Sequence, residues 1–356
     1  MINVTKSYLP PLKNYVKYLE KIWESAYLTN FGPLSKELEA NLKKHLGVKH
    51  LFFVSNGTIA LQIAIKALEL KKEIITTPFT YVATTSSIVW ENCTPIFADI
   101  DPETLCIDPK SIESKLTKNT QAILGVHVYG NTCNVKKINE IAKKHNLKVI
   151  YDAAHAFDIE SDGTSILNHG DISTLSFHAT KLFHTVEGGA IITNDDKLAH
   201  KIMHLRNFGH EGPEEFHTVG INGKNSEFHA AMGLCVLPKI KMLIAKRKKI
   251  SNKYDILLGE FIERPTHSQN SNSNYSYYPI IFKSEEQLLK VRKALNNAEI
   301  FPRRYFYPSL NLLNYVKKSS APISEDISKR VLCIPIYPAL SLTDVSKISS
   351  IIIKNL

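Results

Sequence analysis

Between about residues 55 and 195 the chain alternates short apolar runs with segments whose apolar positions recur at helical spacing. Leu61, Ile65 and Leu68 share one face of a helix that starts near Thr58, and 135–145 carries a second helical pattern. Residues 74–77, 95–99, 122–127, 148–152, 172–177 and 189–193 are apolar runs of strand length, rich in β-branched residues. Strands that read as continuously apolar are buried on both faces, and strands separated by helices join as βαβ units. The pattern therefore predicts an α/β fold with a mostly parallel sheet covered on both sides. In such sheets ligands gather beyond the carboxyl ends of the strands.

After a polybasic helix at 239–258 the pattern changes. A strand-like run at 277–282, a helix at 285–296 and a last helix from 342 to the end indicate a smaller α+β unit. The chain of 356 residues is long enough for about two domains, and the change of pattern divides it at 1–245 and 246–356. The polar stretch 268–274 reads as an exposed loop.

Composition adds limits. Hydrophobic residues make up 44% and charged residues 22%, which excludes a disordered or fibrous chain. The net charge of +10 favours anionic partners, although clusters such as Lys246 to Lys249 read first as solvated helix faces. Five scattered cysteines with no CxxC pair point to neither a disulfide framework nor a zinc site, and to a reducing compartment, the cytoplasm. The start lacks a secretory h-region, and no stretch reads as a membrane span, so the expectation is a protein neither exported nor embedded.

The chemistry centres on Lys181. A lysine amine acts as a nucleophile only when neutral, and an aldehyde cofactor such as pyridoxal 5′-phosphate captures it as a Schiff base. A lone lysine is ordinarily a surface residue, so the case rests on what other strand ends offer. Asp152 closes an apolar strand and is followed by Ala153 and Ala154, leaving room for a flat ring whose pyridine nitrogen an acid would keep protonated. It reads equally as a simple cap. Ser55, Asn56, Gly57 and Thr58 follow an apolar run and open the helix, a phosphate cradle or merely an N-cap. Ser176 could add a hydroxyl, Tyr81 an aromatic plate and His155 a polar neighbour for a ring oxygen, each as readily structural.

Taken together these segments resemble a known family. LTNFGP over 28–33, SNGT over 55–58, TPFTYVAT over 77–84, VHVYG over 126–130, DAAHA over 152–156 and SFHATK over 176–181 with EGG over 187–189 occur in order. GINGKNSE over 220–227, PRRYFYP over 302–308 and LCIP over 332–335 complete a match across nearly the whole chain. The pattern resembles the DegT/DnrJ/EryC1/StrS sugar aminotransferases, which have the type I aspartate-aminotransferase fold: a large, mostly parallel seven-stranded sheet domain and a smaller C-terminal domain.

The resemblance implies roles residue by residue. Lys181 would hold the cofactor and shuttle a proton, Asp152 would pair with the ring nitrogen, and Tyr81 would stack on the ring. Gly57, Thr58 and Ser176 would hold the phosphate, and Asn222 would reach it from a partner subunit, making the site a homodimer's. Thr29, Phe31, His184, Arg303, Arg304 and Tyr305 would face the substrate. His155 stands where glutamine is common, which would make its charge pH-sensitive, and Lys224 stands where many members have arginine. A subgroup with histidine in place of the Schiff-base lysine forms dehydratases; the presence of Lys181 favours transamination.

The resemblance further implies glutamate as amino donor, pyridoxamine 5′-phosphate as the alternate cofactor form, and a dTDP-linked keto-sugar as acceptor. The combination PPL over 10–12, LTN over 28–30, FHAT over 177–180 and RRYFYPSL over 303–310 looks most like members that make dTDP-4-amino-4,6-dideoxyglucose, as in O-antigen biosynthesis. Amination at C3 of a related dTDP sugar is the alternative. Rivals from other classes are a non-catalytic cofactor-binding regulator and a nucleic-acid-binding protein; the latter lacks any helix-turn-helix, zinc or aromatic-basic motif, so no nucleic-acid or membrane partner is expected.

Overall fold

The computed structural model describes residues 1–268 and 270–356; Gln269, within the polar stretch 268–274, lies outside the described residues. Seven strands form the main sheet: β1 (His50–Val54), β2 (Glu73–Thr76), β3 (Thr94–Phe97), β4 (Thr120–Val126), β5 (Lys148–Asp152), β6 (Ile172–Ser176) and β7 (Gly189–Thr193). Their order across the sheet is β1-β7-β6-β5-β4-β2-β3. β7 runs antiparallel to both its neighbours, and every other adjacent pair is parallel. A parallel return needs a crossover, usually a helix. No helix separates β6 from β7, so the chain turns back through a loop, residues 177–188, and that loop carries Lys181.

The apolar runs outlast the ladder at their carboxyl ends. β2, β4 and β6 stop at Thr76, Val126 and Ser176, and the next residues, Thr77, His127 and Phe177, leave the ladder but stay buried. That is why runs read from hydropathy extend a residue too far at the edge where ligands collect.

Helices α1 (Leu12–Ser25), α2 (Pro33–Leu46), α3 (Gly57–Ala67), α4 (Val82–Trp90) and α5 (Val135–His145) precede α6 (Glu227–Val236) and α7 (Ile240–Leu258). α3 buries Ala60, Leu61, Ile63, Ala64 and Ile65 because it is wedged between the sheet and α4. Asn56 caps it, its Oδ1 accepting from the Ile59 N–H at 2.9 Å. One helical run, Glu227–Leu258, is long and apolar enough to cross a membrane by length and composition, contrary to the expectation that no stretch is. Half of its apolar window is buried in the protein, where α6 packs on α2 and α1, the behaviour of a core helix.

α7 passes through residue 245 without interruption and delivers Ile250, Tyr254 and Leu258 to a second core. That core is built with β8 (Pro279–Ile281), α8 (Glu285–Asn297), β9 (Val331–Cys333) and α9 (Leu342–Asn355). The chain's first strand, Ile2–Asn3, also belongs there, pairing in parallel with Ile300–Phe301. Of the polar stretch expected to be exposed, Asn274 is buried, its Nδ2 donating to the carbonyls of His155 and Phe157 at 2.9 Å each.

Asp99, just past β3, ties the C-terminal part to the sheet. Its carboxylate accepts from the N–H groups of Ile323 and Ser324 at 2.8 Å and from Ser324 Oγ at 2.6 Å, capping the helix Pro322–Arg330 from across the fold. Asp99→Ala strands those donors and should cost about 2 kcal/mol. Urea unfolding of the two proteins checks this; equal stability would mean that water replaces the carboxylate without loss.

Candidate active site

A cleft of about 240 Å³ opens at the carboxyl ends of β5 and β6, against the N-terminus of α3. At one end Gly57, Thr58 and Ser176 surround the first turn of α3, whose backbone N–H groups and dipole form an anion site. The space there depends on glycine. A Cβ at Gly57 would sit 3.0 Å from the Ser176 Cβ, and one at Gly189 would fall 2.6 Å from the Asn56 carbonyl carbon. A phosphate group fits this cradle by size and by donor chemistry.

At the floor lie the two groups of opposite charge. Asp152 is the last residue of β5; one carboxylate oxygen accepts from Thr84 Oγ1 at 2.8 Å, and the other from the Ala154 N–H at 3.1 Å. Burial pushes its pKa up, while these two bonds and the Lys181 charge pull it down. Lys181 comes from the β6–β7 loop, and its Nζ donates to the Tyr277 hydroxyl at 3.3 Å. Burial lowers its pKa to about 8, against the opposing pull of Asp152 and Tyr81. An amine tuned to this range holds a usable neutral fraction near neutral pH, as a nucleophilic lysine requires.

The walls are aromatic. Tyr81, directly before α4, is 52% exposed and borders the cleft, free to offer a ring face. His155 is buried opposite. Its Nδ1 accepts from the Tyr129 N–H at 3.2 Å, so the ring proton resides on Nε2. Burial, reinforced by the Lys181 charge, holds its pKa well below 6.5. This corrects the expected pH-sensitive charge: His155 is a neutral imidazole with an N–H to give. Its ring lies nearly parallel to those of Tyr129 and Phe306.

Arg303 and Tyr305 border the outer part of the cleft, the guanidinium 4.6 Å from the centre of the Tyr305 ring. The other expected substrate residues are elsewhere. His184 is buried with Nε2 on the Tyr8 carbonyl at 2.7 Å and Nδ1 accepting from the Val186 N–H, which is structural work. Arg304 is held by Glu285 at 2.6 Å and by the Lys329 carbonyl, facing α8. Thr29 donates to the Asn225 carbonyl, Phe31 packs under the Arg206 guanidinium, and Asn222 is exposed beside Asn207; none lines the cleft of its own chain. Lys224 lies over the Phe208 ring, 4.3 Å from its centre.

Two residues at the centre escaped sequence reasoning. Thr84 lies inside a quoted motif, but nothing local shows that the first turn of α4 aims its hydroxyl at Asp152. Tyr277 opens the strand-like run at 277–282, where an aromatic reads as core, and it meets Lys181 only through folding.

The family model of the DegT/DnrJ/EryC1/StrS aminotransferases matches residues 12–353. The chain is 44% identical over 348 residues to a dTDP-4-amino-4,6-dideoxy-D-glucose transaminase of Shigella dysenteriae, covering 96% of this chain and 95% of that protein. It is 41% identical over 366 residues to one of Escherichia coli, covering 99% and 98%. Among solved structures, DesI in the presence of its TDP-sugar product superposes with a TM-score of 0.93 at 30% identity, covering 98% of this chain and 91% of that one.

The environment of His155 has a direct consequence. Followed by NMR from about pH 8 to pH 5.5, its ring signals should not shift, whereas an ordinary histidine titrates near 6.5. A midpoint near 6.5 would mean that the imidazole is hydrated and the wall open.

Proposed function

The chain belongs to the DegT/DnrJ/EryC1/StrS aminotransferase family, the pyridoxal-phosphate-dependent sugar aminotransferases, and from that premise we propose its reaction. It moves the amino group of glutamate to a dTDP-linked 4-keto-6-deoxy sugar, giving dTDP-4-amino-4,6-dideoxyglucose for glycan assembly such as O-antigen. The observation that carries this reading is the Lys181–Asp152 floor beside a glycine-lined helix N-terminus, in a chain 44% identical to a transaminase so named.

Pyridoxal phosphate, when bound, supplies a carbonyl that an amine can capture and a ring that accepts an electron pair. Gly57, Thr58 and Ser176 would hold its phosphate. Asp152, fixed by Thr84 and Ala154, would keep a proton on the ring nitrogen, and the Nε2–H of His155 would donate to an oxygen on the ring. Lys181 would serve as the amine anchor and then as the group that moves a proton from the donor's α-carbon to C4′ in the first half of the reaction and from C4′ to the sugar carbon in the second. Tyr277 holds that amine in place. Among the described residues Arg303 makes no ion pair with a carboxylate, so its guanidinium is available to a glutamate carboxylate or a sugar-nucleotide phosphate. With Arg304 engaged by Glu285, the anion-binding part expected of the pair falls to Arg303 alone.

The working unit would be a homodimer. Asn222, Thr29 and Phe31 lie outside the cleft of their own chain, and the apolar side chains of Trp23, Leu28, Phe208 and Ile221 are exposed. A partner covering that face would receive Asn222 at its own phosphate cradle. The division at 1–245 and 246–356 would then separate a cofactor domain from a smaller C-terminal one. Five buried free thiols fit a cytoplasmic setting.

Lys181→Ala should lower turnover by at least about 10³-fold in a glutamate and dTDP-4-keto-6-deoxyglucose assay. NMR should place the new amine of the wild-type product at C4. Full activity of the variant would overturn the role of Lys181, and a visible cofactor absorbance that glutamate does not bleach in the wild type would instead indicate a regulator. Lys181→Ala and Asn222→Ala chains, each impaired alone, should regain activity when mixed, since every heterodimer carries one intact site. No recovery on subunit exchange would confine the site to one chain.

A further inference from the structure

A cluster of metal-ligating side chains lies outside the cleft. His200 and His204 are one turn apart on the helix Asp196–Leu205, and Glu211 comes from the segment that follows. The ligating atoms of these three all lie within 4.8 Å of one another. His217 completes the group: its Nδ1 is 3.3 Å from a Glu211 oxygen, and its ring centre is 5.0 Å from that of His204 and 5.9 Å from that of His200. We infer that His200, His204, Glu211 and His217 form a binding site for a divalent transition metal of the zinc class.

The cluster is built rather than accidental. His204 is buried, and its Nδ1 bonds the His200 carbonyl at 2.8 Å, so the ring must donate there and keep a lone pair on Nε2. This is the arrangement that fixes the tautomer of a metal-bound imidazole. Among the described residues His200 makes no side-chain hydrogen bond and Nε2 of His204 has no protein partner. The following segment is folded into a tight double-layered hairpin that returns Glu211 and His217 to the helix. Gly209 N–H bonds the His204 carbonyl at 2.9 Å, His217 N–H bonds the Gly209 carbonyl at 2.8 Å, and Glu211 N–H bonds the Glu215 carbonyl at 2.9 Å. A Cβ at Gly209 would collide with the Thr218 carbonyl oxygen, so the two layers could not close with any other residue there.

Three imidazoles and one carboxylate match zinc and its neighbours, whereas calcium and magnesium take oxygen ligands. Tetrahedral zinc, with bonds of about 2.0–2.2 Å, sets its ligand atoms about 3.3 Å apart. The Glu211–His217 pair already has that spacing, and His200, which is exposed, is free to close the remainder by a rotamer change. The bound ion would pin the 207–222 hairpin to the helix, fixing Asn207 and Asn222 at its base. The inference is independent of the transaminase reading.

The test uses untagged, chelator-treated holoenzyme dialysed against zinc chloride, with bound metal counted per chain. We expect one zinc per chain, retained in excess Mg²⁺, and a thermal midpoint that rises with zinc concentration. His200→Ala and Glu211→Gln, both at exposed positions, should each weaken binding by about 10- to 100-fold. His210→Ala, outside the cluster, should leave it unchanged. Replacing zinc with cobalt gives a second readout, a visible ligand-field band that His200→Ala removes. No stoichiometric zinc, or zinc held equally by wild type, His200→Ala and Glu211→Gln, overturns the site.

Discussion

The site rests on burying a lysine and an aspartate at one floor without letting either neutralise the other's purpose. Taking an ammonium out of water is costly enough that Lys181 sheds its proton more than two pH units early, at about 8. The same burial pushes Asp152 the opposite way and leaves its pKa raised, although Thr84, the Ala154 N–H and the lysine's own charge offset part of the rise. Each neighbour is thus tied to this balance. α4 must start where Thr84 can reach the carboxylate, the β6–β7 loop must carry the amine back over the sheet, and the aromatic wall must keep water out.

Much of this was legible along the chain. Continuous apolar runs in register with helical segments are local signals, and 135–145, 148–152 and 189–193 coincide with α5, β5 and β7 residue for residue. Residues that close strands, such as Asp152 and Ser176, stand out because a polar side chain ends an apolar run. Direction was not legible: hydropathy is the same read either way, so the reversal of β7 emerges only from the absence of a helix before it. Nor were partnerships across long separations. His184 and Arg304 look like ligand residues until Tyr8 and Glu285 are found to occupy them, and Tyr277 looks like core until the fold brings it to an amine 96 positions away. Imidazole charge is of the same kind, since it depends on what surrounds His155.

The first core reaches into the later part through Phe306, Ile327 and Val331, and directional contacts add to that packing. Asp99 caps a helix of the later part from the end of β3, and α7 crosses between cores as one rigid rod. Charged hydrogen bonds at a helix start fix position more sharply than apolar contact does. Their effect is to hold Arg303 and Tyr305, which arrive with the later part, against a floor made entirely by the earlier one.

The short strand Ile2–Asn3 sets a schedule for biosynthesis. Its ladder partner is Ile300–Phe301, with Ile2 N–H on the Glu299 carbonyl at 2.7 Å and Val4 accepting from Ile336. At a ribosomal pace of about 5–20 residues per second, Ile2–Asn3 must wait some tens of seconds for the segment that receives them. The strands of the main sheet, by contrast, have all been made by residue 193. The ladder of Ile2–Asn3 therefore closes only once Ile300–Phe301 has been made, well after the last strand of the main sheet, and a ribosome that stalls before that point leaves Ile2–Asn3 without a place to dock.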